Sequence, residues 1–132
     1  MVERRRLFTL NEAIEILPVV RRIMEEIKTA KDELDKARAV LEAVLLLTSG
    51  NGHPRDDVEK ARADIERSGT ELEARMSEMD GLGAELKGID EGLVDFPCVR
   101  EGRIVYLCWR FPEETISWWH EIDTGFGGRQ PL

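Results

Sequence analysis

At 132 residues, 42% of them apolar and 35% charged, the chain has room for one domain, and its surface-rich composition suits long helices. Its 19 basic and 27 acidic residues give a net charge of −8, which repels phosphate backbones and anionic lipid surfaces and argues against a nucleic-acid or membrane-surface role. No segment nears the roughly 18 apolar residues of a membrane span, and Asn11, Glu12 and Glu15 interrupt the stretch after Arg4-Arg5-Arg6 before it reaches signal length, so a cytoplasmic protein is expected.

The three adjacent arginines read as a solvated arm before a helix. Thr9-Leu10-Asn11-Glu12 has the form of a capping box, in which the threonine hydroxyl and the glutamate carboxylate each take a backbone N–H of the first turn. From there Leu10, Ala13, Leu17, Val20, Met24, Ile27, Leu34, Leu41 and Leu45 follow steps of three and four, broken by Lys31 and Arg38. The spacing predicts one long helix from about residue 9 to 48. Pro18 lacks the N–H of its helical bond and crowds the carbonyl four residues back, so a bend or break near Ile14 to Leu17 is expected.

Thr48-Ser49-Gly50-Asn51-Gly52-His53-Pro54 reads as the reversal. A second helix follows from about Arg55 to Leu82 or beyond, with Val58, Ile65, Leu72, Met79 and Leu86 recurring as in a coiled coil. Two seams joined by a short loop predict an antiparallel hairpin. Near its tip Val40, Leu41, Val44, Leu45, Leu46 and Leu47 leave the helix apolar nearly all round. Two hairpins associating as a homodimer would cover it, and another protein partner could do the same.

Leu86-Lys87-Gly88 is read as the close of the helical part, after which the period changes to two. Leu93 to Val99 and Arg103 to Arg110 read as strands joined at Glu101-Gly102. That turn sets Val99 against Ile104, Pro97 against Tyr106 and Asp95 against Cys108, and it puts Cys98 and Cys108 on opposite faces. The two cysteines match no standard zinc spacing and are expected as free thiols. Ile116 to Ile122 fits a third strand, or less well a short helix, and as a strand it brings His120 to Tyr106 and Trp118 to Cys108. The fold class is therefore α+β, a single domain over residues 1–132, with a helical hairpin over 9–87 and a small antiparallel sheet of two to three strands over 88–132 that ends in a glycine-rich tail.

Seven of the eight aromatic residues and both cysteines lie between Leu93 and Leu132, so function is sought there. One face of the expected sheet carries Asp95, Tyr106, Cys108, Arg110, Trp118 and His120. The other carries Val94, Phe96, Val105, Leu107, Trp109 and Trp119 and suits packing on the helices. Cys108 and His120 offer the sulfur and nitrogen donors of a divalent transition metal, with Asp95, Glu121 or Asp123 as oxygen donors. Glu121 would point away from His120 along a strand. Asp95, Tyr106, Arg110 and Trp118 are candidate ligand-binding residues, and Arg129 in the tail is a candidate anion partner, although the tail lacks the spacing of a phosphate loop. Asp95, His120 and Cys108 also have the residue types of an orienting carboxylate, base and nucleophile, without any local signature of such an enzyme.

Phe8-Thr9, Glu12-Ala13, Leu17-Pro18, Gly92 to Pro97, Tyr106 to Arg110, Trp119-His120-Glu121 and Gly125-Phe126 with Gly128 to Leu132 together resemble a family of small bacterial and archaeal proteins known as the domain of unknown function numbered twenty-two hundred and three. The resemblance spans nearly the whole chain and implies a single-domain cytoplasmic protein. It brings no substrate and no catalytic residue with it. Two readings follow: a small-ligand or metal-binding protein with its site on the sheet, and a non-enzymatic dimeric hairpin that serves as an assembly or adaptor element.

Overall fold

The structure is a computed structural model that describes residues 6–47 and 55–132. The expected reversal at 48–54 and the residues Arg4 and Arg5 of the basic arm lie outside the described residues. Helix α1 runs Leu10–Leu47 and helix α2 Arg55–Gly81. The capping box forms as its residues predict: the Glu12 N–H donates to Thr9 Oγ1 at 3.1 Å and the Thr9 N–H to Glu12 Oε1 at 2.8 Å. The chain stays helical through Pro18. Pro18 lies on the exposed side, where water can take the carbonyl that the missing N–H leaves without its helical partner.

The α1 seam is buried from Ala13 to Ala37, with Leu17, Val20, Ile23, Met24, Ile27, Ala30 and Leu34 between them. Along α2 only Ala61, Ser68, Leu72 and Met79 are buried, so this helix covers one side of α1. Arg22 near the start of α1 pairs with Glu78 near the end of α2 at 2.8 Å, and Arg75 pairs with Glu26 at 3.4 Å. These crossings fix the pair as an antiparallel hairpin. No helix among the described residues is long and apolar enough to cross a membrane.

The sheet is larger than the two to three strands expected. It has five: β1 Glu85–Gly88, β2 Leu93–Arg100, β3 Arg103–Arg110, β4 Trp118–His120 and β5 Gln130–Pro131, paired in sequence order. The helical part ends at Gly81, not near 87, because Gly83 takes a φ of 88°, a left-handed conformation in which helix does not continue. Leu86 keeps the seven-residue spacing but pairs with Val94 as a strand residue, and it packs on the core from the sheet side. The β2–β3 register is the expected one, with Asp95 opposite Cys108, Pro97 opposite Tyr106 and Val99 opposite Ile104. Glu101 and Gly102 have φ of 52° and 77°, the signs of a type I′ hairpin turn. Residues 118–120 form the expected third strand, with Tyr106 opposite His120 and Cys108 opposite Trp118.

The apolar face of the sheet, Val94, Phe96, Cys98, Val105, Leu107, Trp109 and Trp119, joins the α1 seam in one core. The segment before α1 is stitched on as well. Its Phe8 N–H donates to the Pro97 carbonyl at 2.7 Å, and its ring meets Phe96 edge to face at 5.4 Å. The sheet thus covers the base of the hairpin. Farther out on α1, Val40, Leu46 and Leu47 are 52%, 69% and 85% exposed.

Candidate metal centre

The second face of the sheet carries Asp95 from β2, Tyr106 and Cys108 from β3 and His120 from β4, because strand alternation turns all four away from the helices. An uncovered sheet face would leave them wet. Instead Asp95, Cys108 and His120 are 4%, 1% and 2% exposed. Their cover is the chain that follows β4. Ile122, Gly125 and Phe126, with Leu93 and Lys87 from the side, line a partly open cavity of about 140 Å³ over Asp95, Tyr106, Cys108 and His120.

The imidazole is held at both nitrogens. Nδ1 lies 2.7 Å from the Glu121 carbonyl and Nε2 lies 3.0 Å from Asp95 Oδ2. A carbonyl only accepts, so Nδ1 carries a proton, and the hydrogen bond at 3.0 Å is made by a proton on either Nε2 or Asp95 Oδ2. One ligand atom from each of Asp95, Cys108 and His120 lies within 4.8 Å of the other two. Burial raises the Asp95 pKa, only partly offset by His120, and burial likewise pushes the Cys108 thiol up to about 11, against the hydrogen bond from Arg129. Burial thus works against charge on both groups, and a bound cation would offset that cost.

That chemistry does not suit a cysteine nucleophile. Such a thiol needs a depressed pKa and a base turned toward it, whereas His120 presents its two nitrogens to Asp95 and to the backbone.

Three of the other expected site residues gather in a neighbouring cluster and do not line the cavity. Arg129 grips Glu113 through both carboxylate oxygens at 2.7 and 3.0 Å, donates to the Cys108 carbonyl at 3.3 Å, and lies over the rings of Trp118 and Phe126. Arg110 is exposed, its guanidinium 5.6 Å from the Phe126 ring centre and its backbone N–H donating to Glu113 Oε1 at 2.7 Å. The Glu113–Arg129 pair straps the tail over the sheet. Glu121 bonds Arg103 at 2.6 and 2.9 Å on the side away from His120, and Asp123 is exposed.

Glu113 is raised by burial but more strongly lowered by Arg129 and the Arg110 N–H, so its pKa lies below the ordinary 4.5. A depressed carboxylate contributes stability that is full above its unfolded pKa and lost as pH falls through the folded one. The strap should therefore be worth about 1 kcal/mol near neutrality after solvent screening. The unfolding free energies of the wild type and Arg129→Met should differ most near neutrality, and the gap should narrow as pH falls through the lowered Glu113 pKa, leaving the part due to the Trp118, Phe126 and Cys108 contacts. A constant gap across that range would show that Arg129 stabilises by packing alone.

Residues not foreseen from sequence complete the site. Tyr106 donates its hydroxyl to Glu85 Oε1 at 3.0 Å, and Lys87 pairs with the same oxygen at 3.1 Å while lying 4.5 Å from the centre of the Tyr106 ring. By sequence period Glu85 and Lys87 belong to the helix, where no alternation points them at a sheet face. Ile122 and Gly125 over the site and the strap residue Glu113 carry no local signal of their role.

Fold and site together define a small α+β protein: a two-helix hairpin backed by a five-strand antiparallel meander whose outer face buries an Asp, Cys and His cluster. The chain belongs to the family described as uncharacterized conserved protein (DUF2203), whose profile matches residues 6–132. No curated protein and no solved structure matches it.

Proposed function

We propose that this is a metal-binding protein in which Asp95, Cys108 and His120 hold one divalent transition metal ion, zinc being the best match, with a coordination position left open to the cavity. The observation that carries the reading is the convergence of oxygen, sulfur and nitrogen donors within 4.8 Å of one another at a fully buried place. Arms of 2.0–2.3 Å give a tetrahedron an edge of roughly 3.3–3.8 Å, so small side-chain movements close the three atoms onto an ion. A 2+ charge balances the aspartate and the thiolate. The Glu121 carbonyl on Nδ1 is the outer partner that a metal-ligating histidine ordinarily has, and it directs Nε2 to the ion. Three protein ligands and an open position mark zinc sites that bind or activate a small molecule, whereas structural sites use four protein ligands. Metal and small-ligand binding are then one function at one site. Two free cysteines fit the reducing cytoplasm.

The test is native mass spectrometry with elemental analysis on protein prepared without a metal-affinity tag. One equivalent of metal is expected, with Cys108→Ala and His120→Ala each weakening it more than about 100-fold, since even outer partners are worth about 10–100-fold. A folded wild type that takes up no zinc, cobalt or iron on titration would end the proposal.

A second reading rests on Val40, Leu46 and Leu47, exposed beyond the reach of the sheet. The hairpin would pair with a second copy, or with another protein's helix, through this end. Light scattering distinguishes the two: a dimer dispersed by Leu47→Glu supports self-association, and a monomer at high concentration removes it.

A further inference from the structure

The cavity above the three ligands is asymmetric. Its outer wall is apolar, made by Leu93, Ile122 and Phe126, while Lys87 brings the one cationic side chain among the residues that line it. An ammonium carries three N–H donors, and the ion pair with Glu85 at 3.1 Å engages one of them. Glu85 is not among the lining residues. It holds Lys87 on the Tyr106 ring, 4.5 Å from the ring centre, and so fixes the ammonium beside the metal ligands. With a divalent ion in place, the lining groups sum to +2 from the metal, −1 each from Asp95 and Cys108, and +1 from Lys87. Glu85 offsets the Lys87 charge from outside the cavity, so what favours an anion is the ammonium donors that Glu85 leaves over, set beside an open metal position.

Resting on the metal reading above, we infer that the open position takes a small monocarboxylate, one oxygen on the metal, the carboxylate paired with Lys87 and a short alkyl body against Leu93, Ile122 and Phe126. A cavity of about 140 Å³ holds a body of a few carbon atoms and no more; drug-sized ligands occupy roughly 300 Å³ and above. A free short-chain acid fits. The carboxylate at the end of a peptide offers the same head but brings a chain larger than a cavity of about 140 Å³ holds, which would have to run out into solvent.

The experiment uses the full chain loaded with cobalt(II), whose visible absorption reports its ligand set. The cobalt spectrum is recorded first. A protein that takes up no cobalt overturns both this inference and the metal reading, whereas every later arm bears on the carboxylate alone. Propionate should then shift the cobalt bands saturably, propionamide at the same concentration should not, and a blocked dipeptide with a free C-terminal carboxylate should act much more weakly than propionate. Lys87→Gln should weaken propionate about tenfold and Lys87→Arg should restore most of it. Glu85→Gln, which releases the ammonium from its partner, should tighten propionate several-fold. Equal response to acid and amide, or binding indifferent to Lys87→Gln in a variant that still binds cobalt, overturns the carboxylate class. Equal response to propionate and the dipeptide makes the pocket a reader of chain ends and overturns the free-acid form.

Discussion

Metal-free protein carrying His120→Ala should unfold with about 3 kcal/mol less free energy than wild type at neutral pH, while Asp95→Asn should lose little or become more stable. The asymmetry follows from what each change leaves behind. Without the imidazole, Asp95 is a carboxyl group 4% exposed with its main partner gone, and a buried polar group left without its partner costs a few kcal/mol, more if it is charged. With an amide in place of the carboxyl group, Nδ1 stays bonded to the Glu121 carbonyl and the amide N–H can donate to Nε2. The Asp95 shift has the same sign. Its folded pKa is raised above the ordinary 3.8, mainly by burial, so its contribution is present at low pH and lost as pH rises through the folded value. At neutrality the aspartate costs stability. Urea unfolding in the presence of a chelator measures both variants. If Asp95→Asn proves as damaging as His120→Ala, the pair serves to hold the sheet together and a ligand role for Asp95 fails.

Trp109→Ala should cost about 4 kcal/mol, the range for emptying a large aromatic site in a packed core. Trp109 is fully buried between sheet and helix, edge-on to Phe111 at 6.0 Å with Arg21 over its ring. Its Nε1–H donates to the Glu113 carbonyl at 2.8 Å. Removing it opens a cavity at the joint of α1 and β3, and it also frees the residue whose carboxylate straps the tail through Arg129. Trp109→Phe keeps most of the volume and loses the hydrogen bond, so about 1–2 kcal/mol is expected. The comparison separates packing from anchorage. Equal losses in both variants, by equilibrium denaturation, would mean that the indole hydrogen bond outweighs the packing of the ring and would contradict the larger loss expected for alanine.

Much of this architecture is written in short-range patterns. Thr9 and Glu12 announce the start of α1 because the capping chemistry needs only four residues. The pair Glu101-Gly102 sets the register of the hairpin, and a period of two then carries Asp95, Tyr106, Cys108 and His120 to one face without further information. The convergence of Asp95 with Cys108 and His120 is therefore legible in the sequence, as is the separation of Cys98.

What sequence conceals is what depends on contacts between distant segments. Leu86 sits at a seam interval that α2 no longer follows past Gly81, so β1 is hidden inside a helical period, and with it Glu85 and Lys87. The two residues of β5 are too short for any alternation and exist as a strand because they pair with Trp118 and Trp119. The roof over the site depends on Arg129 finding Glu113 sixteen residues earlier. Nothing local tells Arg129 from a solvated arginine or a ligand-binding one.

X-ray absorption at the metal edge of zinc-loaded protein reads the three proposed ligands without an intermediary. One sulfur neighbour at about 2.3 Å with nitrogen and oxygen neighbours at about 2.0–2.2 Å, the sulfur vanishing in Cys108→Ser, is the result that Asp95, Cys108 and His120 predict. A shell of nitrogen and oxygen alone in the wild type would place the metal elsewhere and contradict the site.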